Sequence, residues 1–226
     1  LALQPIATAL FASSPFTAVG GCLFAYYRGF VSAEAFSLYL TIEYVAMIII
    51  GGNPAEAHPV GMQHILKGKE NGAKLIVAEP RFTRTAAHAD KYVRIRPGTD
   101  VAFTWGLLYH VFKNGWEDKE FIRTRVFGMD EARKEVMKYT PDVVQDITGV
   151  PEKDMYEVAK IMAENRPSSL SWVMGGTQHH IGTSNTRAYC IFQLALGNVG
   201  KSGAGTNIFR GHDNVQGATD VGPNSD

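Results

Sequence analysis

Two cysteines in 226 residues, Cys22 and Cys190, are too few and too far apart to form a Cys-x-x-Cys pair. That excludes an iron–sulfur cluster or a cysteine-rich zinc site assembled from this chain alone. A surplus of one charge is also lacking: 22 Lys plus Arg balance 22 Asp plus Glu. No net field therefore favours nucleic acid or an anionic membrane, and nucleic acid is not an expected partner. Long hydrophobic runs are missing too. The stretch from Phe16 to Tyr27 is apolar but short, is broken by Gly20 and Gly21, and has neither a basic start nor a small-residue cleavage site. It reads as neither signal peptide nor membrane span. No G-x-G-x-x-G follows any candidate strand, which removes the ordinary nicotinamide or flavin fingerprint. What the chain does have is 45% apolar residues, enough for a packed core in one large domain or two small ones. It begins at Leu1 and ends in Pro-Asn-Ser-Asp without a closing element, and is expected to be a piece of something longer.

Residues 1–40 show no periodic pattern and stay unassigned, a divergent segment; residues 41–226 form the expected domain. Apolar β-rich runs at Tyr44 to Ile50, Lys74 to Ala78, Tyr92 to Ile95 and Ser169 to Met174 predict strands. Helices are predicted from Val60 to about Lys69, Thr85 to Asp90, Val101 to Lys113, across Glu117 to Asn165, and from Asn185 to Leu196. Thr140-Pro141 and Pro151 mark helix starts, and Met155, Val158, Ala159 and Met162 form one apolar face. After Gly197 the glycine-rich sequence reads as loop. Continuous apolar strands alternating with helices predict an α/β fold, a Rossmann-like parallel sheet with helices on both faces, incomplete in this chain.

In such a sheet every strand-to-helix loop leaves at the carboxyl edge, so Gly51 to Pro54, Glu79 to Arg81, Pro97 to Asp100 and Gly175 to Gln178 share one rim. Glycines there allow close backbone approach, acids accept from sugar hydroxyls or base edges, and arginine suits phosphate. One such loop signifies only a turn; four together point to a nucleotide-like ligand carrying a diphosphate. A competing signal is Ala195 to Ser202, which fits a relaxed P-loop and would make the chain a nucleotide hydrolase using Lys201 and Ser202. A working P-loop leaves a strand and opens a helix, whereas this segment leaves a predicted helix and enters coil. His179 and His180, being adjacent, read as helix-start or ligand-lining polar residues rather than metal ligands. Cys190, beside Ile191 and Leu194, reads as core.

"GGNPAEAHPVGMQHIL", "EPRFTRTAAHADKYVRIRPGTD", "MGGTQH" and "NIFRGHDNVQGATDVG" resemble, in this order and spacing, the catalytic subunits of molybdenum- or tungsten-dependent formate dehydrogenases, of the molybdopterin oxidoreductase (dimethyl sulfoxide reductase) superfamily. The resemblance covers residues 42–226, and its last motif is the most specific. It implies two molybdopterin guanine dinucleotides holding Mo or W. Gly52, Asn53 and Glu56 would lie against one dinucleotide. Glu79, where the family has aspartate, and Arg81 would meet its ribose and phosphate. Gly98 and Asp100 would recognise guanine, and Met174, Gly175 and Gln178 would pass close to the pterin.

In that family the arginine matching Arg210 binds the formate carboxylate beside the metal, as two parallel guanidinium donors suit a planar carboxylate. His212 would tune this site. The resemblance further implies oxidation of formate to carbon dioxide, an iron–sulfur cluster in an N-terminal part, an iron–sulfur electron-transfer subunit, a membrane cytochrome b subunit and a periplasmic membrane-associated complex; cytoplasmic relatives exist. The family's metal ligand is a cysteine or selenocysteine followed by histidine, but here Cys22 precedes Leu23 and no Cys-His occurs. By itself the chain is therefore expected to be inactive. A non-catalytic remnant keeping the sheet and one dinucleotide is the remaining alternative.

Overall fold

The computed structural model describes residues 45–211 and 215. The chain divides into two compact units, Thr41–Phe209 and a second made of Leu1–Leu40 with Arg210–Asp226. Of the second unit, Arg210, Gly211 and Val215 lie among the described residues.

The first unit follows the chain as strand β1 (Ala46–Ile50), a one-turn helix α1 (Pro54–Ala57), α2 (Pro59–Glu70), β2 (Lys74–Ala78), a 3₁₀ turn (Ala86–His88), and β3 (Lys91–Val93). Then come α3 (Asp100–Lys113), α4 (Lys119–Arg125), α5 (Met129–Val136), α6 (Pro141–Thr148), α7 (Glu152–Glu164), β4 (Ser168–Trp172), α8 (Met174–Thr177), α9 (Gly182–Ala195) and β5 (Gly205–Ile208). The five strands form one sheet in the order β3-β2-β1-β4-β5, and every neighbouring pair is parallel.

The central strand explains the run "AMIII": all five residues are buried because helices cover both faces. Ile48, Ile50, Ile76 and Leu170 pack on one face with Phe103 and Leu107 of α3, Val158 of α7 and Phe192 of α9. Met47, Ile49, Leu75 and Val77 pack on the other with Met62 and Ile65 of α2. The predicted face of α7 is fully inside: Met155, Val158, Ala159 and Met162 are all 0% exposed.

Several expectations need correction. The segment read as loop after Gly197 contains β5, paired with β4 from Ser169↔Gly205 to Trp172↔Ile208. The Thr85 to Asp90 segment makes only a three-residue 3₁₀ turn. The third strand begins and ends earlier than predicted, at Lys91 and Val93. Cys190 is half-buried rather than core, with its Sγ 4.0 Å from the Thr206 hydroxyl.

Candidate functional site

Between β1 and β4 the connections turn outward in opposite directions, and a parallel sheet opens a crevice beyond its carboxyl edge at such a point. The loop after β1 and the segment after β4 meet there. Gly51 has φ +65°, and a Cβ on it would lie 2.5 Å from the Gly176 nitrogen; one on Gly175 would lie 2.6 Å from the Gly51 carbonyl oxygen. The Gly175 N–H donates to that carbonyl at 3.0 Å. These glycines permit the approach of one loop to another, a role the sequence reading had given to the ligand.

Around this contact lies a cavity of about 230 Å³ lined by Gly51, Glu79, Pro80, Ile95, Pro97, Gly98, Asp100, Gly175 and His179. All four predicted loops contribute to it. Of the residues singled out in the sequence, Glu79, Gly98, Asp100 and Gly175 line the cavity directly. Gly52, Asn53, Arg81 and Gln178 lie on the same loops, and Glu56 and Met174 in the adjoining one-turn helices, without lining it. The Asn53 carboxamide oxygen accepts from the Thr85 hydroxyl at 2.8 Å, and Thr85 accepts from the Ala55 N–H at 3.0 Å, so Asn53 braces its loop. Glu56 is exposed and pairs with Arg84 at 3.5 Å. Arg81, Met174 and Gln178 are exposed. His212 lies outside the described residues, and Arg210 begins the second unit.

The cavity is acidic. Asp100, the first residue of α3, is 2% exposed, and its Oδ1 accepts from the Tyr189 hydroxyl at 2.9 Å. Burial raises its pKa, and the Tyr189 hydrogen bond, its own backbone N–H and His179 oppose the rise. Burial likewise pushes Glu79 up to about 7; Arg81 lowers it and the Asp100 charge raises it. The Tyr92 hydroxyl fixes the backbone here by donating to the Glu79 carbonyl at 2.9 Å. His179 is held by its Nε2, 2.8 Å from the Gly175 carbonyl, a contact that places the proton on Nε2. An acid-lined recess accepts from N–H and O–H groups and disfavours a phosphate. Among the described residues no group of three or more His, Cys, Asp or Glu is placed to hold a metal.

Sequence reasoning missed Tyr189 and Asn185. Both are 0% exposed and lie one turn apart on α9. Tyr189 reaches Asp100, and the Asn185 side-chain amide donates to the Gly176 carbonyl at 2.8 Å. The available signal was a polar stripe, Asn185, Tyr189 and Gln193, at four-residue spacing on an otherwise apolar helix. The P-loop alternative lacks its geometry: the chain runs from helix α9 through Lys201 into strand β5, and Lys201 lies 3.7 Å from Asp118.

The chain is 36% identical over 233 aligned positions to formate dehydrogenase-O major subunit of Escherichia coli, covering 78% of this chain and 23% of that one. It is 40% identical over 176 positions to F420-dependent formate dehydrogenase subunit alpha of Methanocaldococcus jannaschii, with 78% and 26% coverage. It thus spans about a quarter of the length of these relatives. Among solved structures, acetylene hydratase from Pelobacter acetylenicus superposes with a TM-score of 0.68 at 28% identity, covering 71% of this chain and 22% of that one. The family model for molybdopterin oxidoreductases matches residues 18–226, starting inside the segment the sequence leaves unassigned. With its parallel sheet, its rim of four converging loops and this match along most of its length, the chain belongs to the molybdopterin oxidoreductase family.

Proposed function

We propose that the protein is part of a formate dehydrogenase catalytic subunit, oxidising formate to carbon dioxide, a proton and two electrons at a Mo or W centre held by two molybdopterin guanine dinucleotides. The observation that carries this reading is the convergence of all four loops on one cavity lined by a buried carboxyl, Asp100, and a half-buried one, Glu79. Its size suits one planar base rather than a whole dinucleotide, and two-donor edges such as guanine N1–H and N2–H match a carboxylate acceptor. Asp100 would take the base and Glu79 a ribose hydroxyl. Gly98 would share the guanine-recognising turn with Asp100, and Gly52, Asn53, Glu56, Arg81, Met174, Gly175 and Gln178 would hold the remaining dinucleotide and pterin. When bound, the metal–pterin group supplies the two-electron acceptor.

Arg210 holds formate through two parallel N–H donors, fixing the direction of its C–H bond, and His212 tunes that site. The formate dehydrogenase relatives and the "NIFRGHDNVQGATDVG" motif support this substrate. Electrons would pass to an iron–sulfur cluster, then to an iron–sulfur subunit and a membrane cytochrome b subunit of a periplasmic complex.

The protein is purified from molybdate- and tungstate-sufficient cells and assayed for metal, for guanine nucleotide released by acid, and for formate oxidation with a dye acceptor. Metal and guanine nucleotide are expected together; finding neither refutes the proposal. In the complete subunit, which supplies the metal ligand, Arg210→Ala should leave both in place while formate turnover falls about 10²-fold.

A further inference from the structure

Asp100 and Tyr189 are 89 residues apart in sequence, yet the Tyr189 hydroxyl donates to the Asp100 carboxylate at 2.9 Å inside the core. The hydroxyl belongs to the rim as much as to the helix: a Cβ on Gly176 would lie 2.8 Å from it. One turn earlier, Asn185 grips the Gly176 carbonyl at 2.8 Å. Helix α9 thereby touches two of the four loops through two polar side chains on one face, while Phe192 and Ala195 on the same helix pack in the core. A buried carboxylate with no donor would take up a proton, and protonated Asp100 would present an O–H where a two-donor base edge needs acceptors.

We infer that Tyr189 is a positioning residue that holds Asp100 as an oriented acceptor and so sets the preference of the rim cavity for the guanine end of the cofactor. This rests on the proposed function. The ring of Tyr189 packs against Trp172, with centroids 5.6 Å apart, a contact separate from the hydroxyl that reaches Asp100. The other groups acting on Asp100 and its neighbour are Glu79 and Arg81 from the β2 loop and His179 after β4. None of these is on α9, so the contribution of Tyr189 can be removed by itself.

The test uses the protein purified with its cofactor in place. Wild type and Tyr189→Phe are dialysed across a pH series, and the guanine nucleotide retained is quantified after acid release. The variant removes one oxygen and leaves the ring packed. Retention in Tyr189→Phe is expected to be about tenfold weaker at neutral pH, the scale of one hydrogen bond to a charged acceptor. Its acid midpoint should move to higher pH, because Asp100 then protonates sooner. Trp172→Phe, which trims a neighbouring ring but keeps the Tyr189 hydroxyl, should leave the midpoint in place. Identical profiles for wild type and Tyr189→Phe overturn this inference alone. So does an equal shift in Trp172→Phe, which would mean general loosening. A wild-type protein carrying no guanine nucleotide overturns the proposed function, and this inference with it.

Discussion

Glu79→Gln tests the electrostatics of the rim without reference to any ligand. Burial raises the Glu79 pKa from 4.5 to about 7, against the opposing charge of Arg81. Below pH 4.5 the carboxyl is protonated whether the chain is folded or not, so the shift contributes nothing. Between 4.5 and about 7 the unfolded chain has lost the proton while the folded chain keeps it, so stability falls as pH rises. Above about 7 the penalty is constant. The gap corresponds to roughly 3 kcal/mol at 1.36 kcal/mol per pH unit. Because Glu79 is only half-buried and Arg81 is exposed, solvent screening reduces that to about 1–2 kcal/mol. Glutamine has nearly the same shape and no charge, so the variant should match wild type at pH 4.5 and exceed it by about 1–2 kcal/mol at pH 8. Urea unfolding at half-unit steps from pH 4.5 to 8 measures the difference directly. Subtracting the two curves cancels the contributions of other groups, such as His110, whose pKa burial lowers. If the curves run parallel throughout, Glu79 ionises normally and the dehydrated acidic cavity is refuted.

Gly175→Ala should cost about 1–3 kcal/mol, since its Cβ would meet the Gly51 backbone rather than a movable side chain; unchanged urea stability would refute the loop contact. Lys91 lies 2.7 Å from Asp154 and 2.6 Å from Glu157, tying the amino end of β3 to α7. Lys91→Met should therefore cost about 1–2 kcal/mol at low salt and less at high salt; a salt-independent loss would indicate packing instead. Lys201→Ala removes only a half-exposed contact to Asp118 and should shift stability by less than about 0.5 kcal/mol. Calorimetry should find no magnesium-dependent ATP or GTP binding that this variant abolishes; such a loss would restore the nucleotide-hydrolase alternative.

The parallel sheet was legible because buried parallel strands have a local signature: "MIII" and "LIVA" are apolar at every position, and each is followed by a glycine- or proline-bearing turn. β5 has no such signature. Gly205, Thr206, Asn207 and Ile208 become a strand only through pairing with β4, a tertiary effect that overrides weak local preference. The rim could be located because topology alone sends every βα loop to one edge. Which side chains reach the cavity could not be read the same way: Asn53 turns to Thr85 and Glu56 to Arg84, partners about thirty residues away in sequence. Tyr189 was hidden for the same reason, since an aromatic residue on an apolar helix face looks like core whether or not its hydroxyl serves a distant carboxylate.

The chemistry of the cavity also divides labour within the proposed enzyme. Among the described residues lining it there is no Lys or Arg, and two carboxylates face inward. A formate anion entering this recess would meet two carboxyl groups and no lining cation to pair with. The rim cavity is therefore suited to hydrogen-bond donors and unsuited to the substrate. A one-carbon acid needs a fixed cation, the role proposed above for Arg210 in the motif after β5. The superposition with acetylene hydratase fits this separation: a shared sheet is compatible with a substrate that has no carboxylate, so the sheet does not choose the substrate. Changes at Glu79, Asp100 or Tyr189 should then act on what the protein retains, and changes at Arg210 on what it turns over.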